Sequence, residues 1–431
     1  MTIRQLMNHT SGVRDHTAIG ALAGISEDGL KDADALAVFA RQRRTDFTPG
    51  TQWAYTNCGY SLLAKIVERV SGKSLPAFAE EQLFRPLGMT STAFRMTKDT
   101  PKGRAVGYQQ ERGKWTAMER GWGAVGAGGL FSTVEDMLLW QRHMESPRLG
   151  GAKWAELTNA RGVLTDGTPI LYGAGVFHAT FAGQTTIEHN GANPGNTAFV
   201  QRFPALRVSI VVLCNRDSRG EGNFATIVGR RVAALYVGPQ RAPVAPAVTA
   251  ALALTPQQQA SYVGMFYNDR VPSAWPITVD SGKMVWANNR ELVPIGGSRF
   301  QLAGTTAIVT LKGTDTVVFE QRPFSPNAGP YEPHPTYVRV GTVRRNLRDY
   351  AGTYDSGELP ARWKVQVKDT ALIIDRPKGP SYFLYRAFED GFDSPSYGMI
   401  VRFFRDPKGE VVAMELNGGS RAWHFRFERE R

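Results

Sequence analysis

A helical spacing of apolar positions marks the segment that follows Asn57. The apolar side chains recur three or four residues apart, at Leu62, Leu63, Ile66, Val67 and Val70. Charged side chains occupy the opposite face of the same segment, and Gly72 supplies a stop. The pattern predicts an amphipathic helix that ends at Gly72, with Tyr55 and Asn57 held in the loop at its start.

Period-two alternation and β-branched residues predict strands at 184–187, 197–200 and 208–213. His189 directly follows the first of these strands, so we expect it on an antiparallel sheet. The apolar positions of 223–237 predict a helix that packs back on the same sheet.

A short internal repeat follows a Pro- and Ala-rich stretch, 238–256, which we interpret as a linker. Tyr262 and Tyr350 each open a Tyr-x-Gly-x-aromatic motif, 88 residues apart (350 − 262). Short alternating strands come after each motif. The repeat predicts two small antiparallel β-barrels, at 257–342 and 343–431.

Composition narrows the classes of partner. The chain has 431 residues with 42% hydrophobic content, enough for two or three domains, and a formal charge of +12. The basic residues are scattered and their clusters at 41–44 and 344–345 are short, so nucleic-acid binding is not predicted. No apolar run of about 18 residues and no signal peptide occur, so no transmembrane span is predicted.

Metal and cofactor signals are also weak. Cys58 and Cys214 lie 156 positions apart (214 − 58), a spacing typical of no metal site, and predict two buried free thiols. His9 and His16 are interpreted as turn or capping residues rather than ligands. The glycine run at 126–129 lacks the Gly-Lys-Ser/Thr ending of a phosphate loop. We therefore predict neither a metal nor a cofactor.

Two interpretations fit Tyr55 and Asn57 when they are taken alone. They are either a functional pair aimed into one cleft or a core tyrosine followed by a turn asparagine. His189 leaves the same choice, because a strand histidine is often structural.

The chain resembles the class C β-lactamase and penicillin-binding-protein superfamily over roughly residues 2 to 235. Three motifs carry the resemblance in the expected order, Phe-x-Pro-Gly-x-x-Trp-x-Tyr-Thr-Asn-x-Gly-Tyr at 47–60, Leu-Phe-Arg-Pro-Leu-Gly-Met at 83–89 and His-x-Gly at 189–191. The resemblance implies an α+β fold, in which 1–237 is a β-lactamase-like catalytic domain of an antiparallel sheet with helices. The two barrels resemble the lipocalin-like modules of some D-aminopeptidases.

The resemblance also implies roles for individual residues. Tyr55 and His189 are the candidate catalytic residues, with Tyr55 as acid/base and His189 tuning the proton network. Asn57 is expected to position the substrate amide. Gly191 is expected to let the substrate approach the strand closely, and the Ala192 N–H is a candidate oxyanion donor.

A histidine in the third motif bears on the substrate. Where the superfamily has lysine, a fixed positive charge can hold a substrate carboxylate. A histidine with a pKa near ~6.5 is mostly neutral at pH 7 and holds an anion weakly. The expected substrate is therefore a small peptide, amide or ester, and the expected activity that of an aminopeptidase, amidase or esterase rather than a β-lactamase or carboxypeptidase.

The superfamily's Ser-x-x-Lys motif is not found, since no serine of the chain has lysine three positions further on. In the superfamily, the equivalent of 2–12 comes well after that motif. Either the parent protein has a preceding segment that holds the nucleophile, or the protein is a catalytically inactive ligand- or envelope-binding protein. We expect the first, because natural loss more often erodes single residues than removes a whole helix.

On that expectation, the 431 residues alone are inactive. An export signal would lie in the same preceding segment, so the full-length protein is expected to be periplasmic or extracellular. The sequence predicts no particular oligomeric state.

Overall fold

The computed structural model describes 1–23, 36–37, 39–94, 103–111, 113–118, 125–217, 222–239, 254–287, 290–305, 307–321, 331–332, 334–359, 362–375, 381–394, 398–418 and 422–430. These residues fall into two compact units. The first, called here the N-terminal unit, comprises the described residues of Met1–Ser11, Ser26–Leu36 and Thr56–Ala242. The second, the barrel unit, comprises those of Gly12–Ile25, Ala37–Tyr55 and Pro243–Arg431.

The helices of the described residues are short apart from three of 12 to 15 residues. In chain order they are α1 (Ile3–Met7), α2 (His16–Leu22), α3 (Asn57–Ser71), α4 (Leu75–Ala79), α5 (Arg85–Leu87), α6 (Val134–Glu145), α7 (Gly151–Asn159), α8 (Phe224–Val237) and α9 (Pro256–Tyr262). A π-helical turn, Glu80–Phe84, joins α4 to α5, and single 3-10 turns cover Pro204–Leu206 and Leu347–Tyr350.

Capping residues fix the ends of α1 and α3. Thr2 and Gln5 form a reciprocal capping box at α1, with bonds of 3.2 and 2.9 Å. The Thr56 side chain accepts a hydrogen bond from the Cys58 N–H at the start of α3. Gly72 ends α3 with φ of 70°, a left-handed conformation that favours glycine. The predicted helix is confirmed, but Asn57 is its first residue rather than part of the preceding loop.

A five-stranded antiparallel sheet is the main sheet of the N-terminal unit, with strands in the order β5-β6-β7-β8-β9. Its strands are β5 (Tyr172–Gly173), β6 (Val176–Phe181), β7 (Gln184–Asn193), β8 (Asn196–Phe203) and β9 (Val208–Cys214). Two small ribbons accompany it, one of β1 (Ala93–Phe94) with β4 (Leu130–Phe131), the other of β2 (Gly107–Glu111) with β3 (Lys114–Met118). The predicted strands and the helix at 223–237 are confirmed, and α8 packs on β8 and β9 through the cluster around Phe203 and Ile210.

Two closed eight-stranded antiparallel barrels form most of the barrel unit, as the internal repeat predicts. The first contains β10 (Gly264–Asn268), β11 (Ser273–Asp280), β12 (Lys283–Trp286), β13 (Arg290–Gly296), β14 (Arg299–Leu302), β15 (Ile308–Lys312), β16 (Thr316–Gln321) and β17 (Thr336–Val340). The second contains β18 (Gly352–Asp355), β19 (Arg362–Lys368), β20 (Ala371–Asp375), β21 (Tyr382–Phe388), β22 (Gly391–Ser394), β23 (Met399–Arg405), β24 (Val411–Gly418) and β25 (Ala422–Arg429).

Large apolar side chains fill both barrels. Phe266 and Val317 are almost completely buried in the first barrel, and Trp363 and Phe427 in the second. Closure pairs every strand with two neighbours, so neither barrel has an open sheet edge.

The described residues of Gly12–Ile25 and Ala37–Tyr55 belong to the barrel unit rather than to the unit that contains the five-stranded sheet. Ile19 and Leu22 of α2 are buried in the core of the second barrel. We predicted 1–237 as a single domain, and the described residues of 12–25 and 37–55 are grouped instead with the barrels. The helical spacing of Leu30, Ala33, Leu36, Ala37 and Ala40 predicts a surface helix between residues 20 and 45, which lies mostly outside the described residues.

Within the described residues, no helix is both long and apolar enough to cross a bilayer. The same residues contain no group of three or more His, Cys, Asp or Glu side chains placed to hold a metal ion. Both cysteines are free thiols, Cys58 buried and Cys214 half-buried.

Candidate active site

Three of the five predicted site residues lie on one strand. His189, Gly191 and Ala192 follow one another along β7, and Gly191 and Ala192 are exposed. β8 pairs with β7 as far as Asn193, whereas β6 pairs with it only as far as Glu188. Among the described residues, β7 is therefore paired on one side only beyond Glu188, and this stretch offers main-chain groups to a ligand.

The imidazole of His189 packs among aromatic rings. The Phe177 ring stacks on it with centroids 5.4 Å apart, and the Tyr172 ring meets it edge-on at 6.1 Å. Burial lowers the pKa of His189, and the hydrogen bond to the Asn190 carbonyl only partly opposes this effect. The ring is therefore neutral at pH 7.

Both nitrogens of His189 have partners inside the protein. Nδ1 lies 2.6 Å from the carbonyl oxygen of Asn190, and Nε2 lies 3.4 Å from the hydroxyl of Tyr172. A carbonyl can only accept, so Nδ1 carries the proton and Nε2 of the neutral ring is an acceptor. The phenol that contacts His189 here is Tyr172, a residue that the sequence did not single out.

A second imidazole lies on the other side of the same phenol. The Nε2 atom of His9 is 3.1 Å from the Tyr172 hydroxyl, and the ring centroids are 4.8 Å apart. His9 is completely buried and Tyr172 is 1% exposed. We call His9, Tyr172 and His189 the imidazole–phenol chain.

The imidazole–phenol chain reaches the helix that carries Asn57. The Thr56 N–H donates to Nδ1 of His9 over 3.2 Å, and Thr56 is the N-cap residue of α3. Asn57 is buried at the first helical position. The start of α3 and the His189 end of β7 are thus joined by consecutive hydrogen bonds within one unit.

Tyr55 belongs to the barrel unit, as the last residue of the segment Ala37–Tyr55. It is half-buried, has irregular backbone and directly precedes Thr56. Two trans peptide bonds separate its Cα atom from that of Asn57, which limits their separation to about 7.6 Å. Its catalytic role stays a prediction.

A tight hairpin positions Tyr172. β5 and β6 are joined by Ala174 and Gly175, whose φ angles are 48° and 89°. Positive φ at both central residues characterises the two-residue type I′ turn. The Ala174 N–H also donates to the side chain of Asn8 over 3.0 Å, which fixes the hairpin against the end of α1.

The turn after α1 positions His9. His9 adopts φ of 56°, in the left-handed region that few residues other than glycine adopt. The Tyr60 hydroxyl donates to the Met7 carbonyl over 2.8 Å, and the Tyr60 ring lies 5.2 Å from the His9 ring. The first turn of α3 therefore supports the backbone on which His9 depends.

Two glycines near the end of β7 differ in how much space the fold leaves for a side chain. A Cβ atom on Gly195 would lie 2.8 Å from the backbone of Gly107, and Gly195 has φ of 78°. A Cβ atom on Gly191 would meet only the Ala198 side chain, at an ordinary 3.7 Å. Glycine at 195 is required by the fold, whereas nothing inside the described protein requires it at 191.

The start of α8 also supports β7. Asn223, the N-cap residue of α8, accepts from the Thr226 N–H and donates its amide to the Gly191 carbonyl over 2.8 Å. The site thus combines the imidazole of His189, the part of β7 that is paired on one side only, and the carboxamide of Asn57 at the start of α3. Such groups can orient a carbonyl substrate and relay protons.

Sequence reasoning missed His9, Tyr172 and the N-H of Thr56. His9 stands in the run His9-Thr10-Ser11-Gly12, where we interpreted it only as a turn or capping residue. Tyr172 stands in Tyr172-Gly173-Ala174-Gly175, whose paired glycines indicate a tight turn. Neither run reveals that the two side chains meet.

Comparison with known proteins places this geometry in a family. The family described as Beta-lactamase matches residues 1–235, more than half of the chain. A D-aminopeptidase of Cereibacter sphaeroides is 32% identical over 233 residues, which cover 53% of this chain and 44% of that protein. A D-aminopeptidase of Gluconobacter oxydans is 28% identical over 235 residues and covered to the same 44%. The chain thus spans about half the length of the curated relatives it matches.

A solved structure similar to this chain is the octameric penicillin-binding protein homologue from Pyrococcus abyssi. It shares 18% sequence identity at a TM-score of 0.47, over 86% of this chain and 75% of that one.

Proposed function

The chain belongs to the Beta-lactamase family, and from this premise we propose that its parent protein is a serine hydrolase that forms an acyl-enzyme with an amide or ester. We favour an aminopeptidase or amidase. The relatives that are D-aminopeptidases support this choice, although the match covers 44% of their length. An esterase uses the same acyl-enzyme chemistry.

The observation that carries the proposal is the environment of His189, a histidine that stands where the superfamily also uses a lysine. Recognition of a substrate carboxylate favours a fixed cation at the site, as a lysine or arginine provides. At His189, burial lowers the pKa, and the ring stacks on Phe177. A substrate without a carboxylate beside the scissile bond fits this site better than a penicillin or a peptide that ends in a free carboxylate.

We assign the roles as follows. Tyr55 is the acid/base for the attacking and leaving groups, and Asn57 orients the substrate amide from the start of α3. His189 holds a proton network in one arrangement. Gly191 admits the substrate to the one-sided part of β7, and the Ala192 N–H donates to the developing oxyanion.

The open space around Gly191 supports its assigned role. Because a Cβ atom there meets nothing closer than 3.7 Å, the fold does not explain a glycine at this position. Close approach of a ligand backbone does.

The proposal places the attacking serine in a segment outside these 431 residues, because no Ser-x-x-Lys occurs within them. Among the described residues, β9 pairs with β8 alone and forms one edge of the sheet. Its sequence, Val-Ser-Ile-Val-Val-Leu-Cys, is that of a strand that readily pairs with another. A further strand of the parent protein is a suitable partner for this edge.

The test is to express the chain with its upstream coding sequence and assay three substrates. These are D-alanine 4-nitroanilide, 4-nitrophenyl acetate and nitrocefin, of which only nitrocefin carries a carboxylate. We expect kcat/KM for the anilide or the acetate to exceed that for nitrocefin by about tenfold or more. A fluorophosphonate should label one serine of the extended protein and none of the 431-residue chain.

His189→Lys is the matched variant, because it restores a fixed cation at the same position. We expect it to shift the preference toward nitrocefin. No labelling and no hydrolysis by the extended protein would contradict the proposal and favour a catalytically inactive ligand-binding protein.

A further inference from the structure

The buried imidazole–phenol chain has one self-consistent direction of hydrogen bonds. The Thr56 N–H can only donate, so Nδ1 of His9 accepts and the neutral His9 carries its proton on Nε2. That Nε2–H donates to the Tyr172 oxygen over 3.1 Å. The Tyr172 O–H is then directed to Nε2 of His189, and His189 donates from Nδ1 to Asn190.

This direction assigns opposite tautomers to the two histidines. His9 is protonated on Nε2 and His189 on Nδ1. The phenol therefore receives a hydrogen bond from a neutral donor and passes one on.

The protein maintains this arrangement at a cost. His9 has a left-handed backbone, which is unfavourable for a residue other than glycine. Two polar side chains, His9 and Tyr172, are also held almost completely out of water. Strain and buried polarity at one place are typical of a functional site.

We propose that His9 is a positioning residue that acts through Tyr172 to keep His189 neutral and protonated on Nδ1, and that ties this state to the start of the helix carrying Asn57. The importance of this device for catalysis rests on the proposed hydrolase function, whereas the tautomers themselves do not.

The physical basis is the competition for the Tyr172 oxygen. While His9 donates to that oxygen, the phenol proton is polarised toward Nε2 of His189, which stabilises the neutral imidazole. Without the His9 donor, the oxygen is freer to accept from a protonated His189. Removal of His9 should therefore raise the pKa of His189.

The groups that bear on this equilibrium lie on three elements. Tyr172 on β5 and His9 after α1 are titratable, and Phe177 on β6 is apolar. Burial lowers the pKa of His189, and the hydrogen bond to the Asn190 carbonyl raises it.

The first test needs no variant. The 431-residue chain, labelled with 15N-histidine, is studied by long-range 1H–15N correlation at pH 7.5, with resonances assigned by single substitutions. We expect a protonated Nε2 for His9 and a protonated Nδ1 for His189. A protonated Nε2 on His189 overturns the proposal.

The second test measures coupling with His9→Asn, since asparagine tolerates the left-handed backbone but is too short to reach Tyr172. His9→Asn should raise the pKa of His189 by about 0.5 or more in the wild-type background. In a Tyr172→Phe background, the same substitution should change it by less than about 0.2. Equal shifts in both backgrounds, or no shift in either, would show that His9 does not act through the phenol.

Tyr60→Phe is the matched control for Tyr172→Phe. It too removes a phenol hydroxyl beside His9, but one outside the imidazole–phenol chain. It should leave the pKa of His189 within about 0.2 of the wild-type value. Near-ultraviolet circular dichroism checks the fold of each variant. If His9→Asn does not fold, the wild-type tautomers decide the proposal.

The outcomes separate this inference from the proposed function. Opposite tautomers together with no hydrolysis by the extended protein would refute the hydrolase and leave the positioning role of His9 intact. Hydrolysis with identical tautomers would do the reverse.

Discussion

Each unit of the molecule contains a polar cluster built around buried side chains, and the two clusters compared here differ in charge. In the barrel unit, the buried guanidinium of Arg14 lies 3.0 Å from Asp46 and 3.0 Å from Glu358. We call these three residues the arginine cluster. In the N-terminal unit, the imidazole–phenol chain consists of two imidazoles and one phenol that are hydrogen-bonded in series.

The two clusters also end differently. Arg14 donates to carboxylates, to Gln42 and to the His424 carbonyl, and it covers the Phe425 ring at 4.2 Å. The arginine cluster therefore fastens the segments around Arg14 and Asp46 to the second barrel. The imidazole–phenol chain instead ends at His189, two residues before the exposed Gly191 on a one-sided strand. A cation that is paired with carboxylates inside the protein suits anchoring. Neutral groups beside an open strand edge suit proton transfer.

The largest expected effect is on stability and follows from breaking the arginine cluster. Arg14→Met leaves two buried carboxylates without their cation, so the unfolding free energy of the barrel unit should fall by about 3–5 kcal/mol. Urea unfolding followed by tryptophan fluorescence measures this, since Trp363 and Trp423 are buried in that unit. The matched control is Arg44→Met, whose side chain is 47% exposed beside Glu415 and should cost about 1 kcal/mol or less. Equal losses in both variants would refute the anchoring role.

The next effect concerns a buried histidine outside either cluster. His178 on β6 is 5% exposed, and its Nε2 atom has no hydrogen-bond partner among the described residues. Burial lowers its pKa to about 4, with Arg161 and Arg202 adding to the effect. The unfolded chain binds this proton near pH 6.5 and the folded chain does not, so stability is complete above about pH 6.5 and falls as the pH drops toward 4.

We expect the unfolding free energy to fall by about 2–3 kcal/mol between pH 6.5 and 4 because of this histidine. His178→Leu should flatten the pH dependence of urea unfolding over that range, while His334→Gln, at an exposed position, should not. An unchanged slope in His178→Leu would contradict the assignment.

The smallest effect on stability compares the two glycines at the end of β7. Gly195→Ala forces a Cβ atom against Gly107 at positive φ and should cost about 2 kcal/mol or more. Gly191→Ala should change the unfolding free energy by about 0.5 kcal/mol or less, but lower kcat/KM of the extended protein about tenfold. Thermal unfolding and the anilide assay measure the two quantities. A large loss of stability in Gly191→Ala would remove the argument that this glycine serves the substrate.

Local patterns predicted much of the fold. The apolar spacing after Asn57, together with Gly72, gives α3. The Tyr-x-Gly-x-aromatic repeat gives two barrels whose first strands begin at Gly264 and Gly352. These features depend on side chains a few residues apart, which a single sequence displays directly.

Long-range partnerships were not predictable in the same way. His9 meets Tyr172 across 163 positions, and Arg14 meets Glu358 across 344. No local spacing encodes such contacts, because the tertiary fold alone brings these side chains together. For the same reason, the sequence predicts the segments around Arg14 and Asp46 to be part of the first domain. The described structure groups them with the barrels.

If the proposed function is right, His189 of the His-x-Gly motif is uncharged at neutral pH. The most direct measurement is an NMR titration of His189 in the 431-residue chain. Burial predicts a midpoint below the ordinary value of about 6.5, with the ring neutral at pH 7. A midpoint above 7 would make His189 a cation at neutral pH, suited to a substrate carboxylate, and would contradict the account.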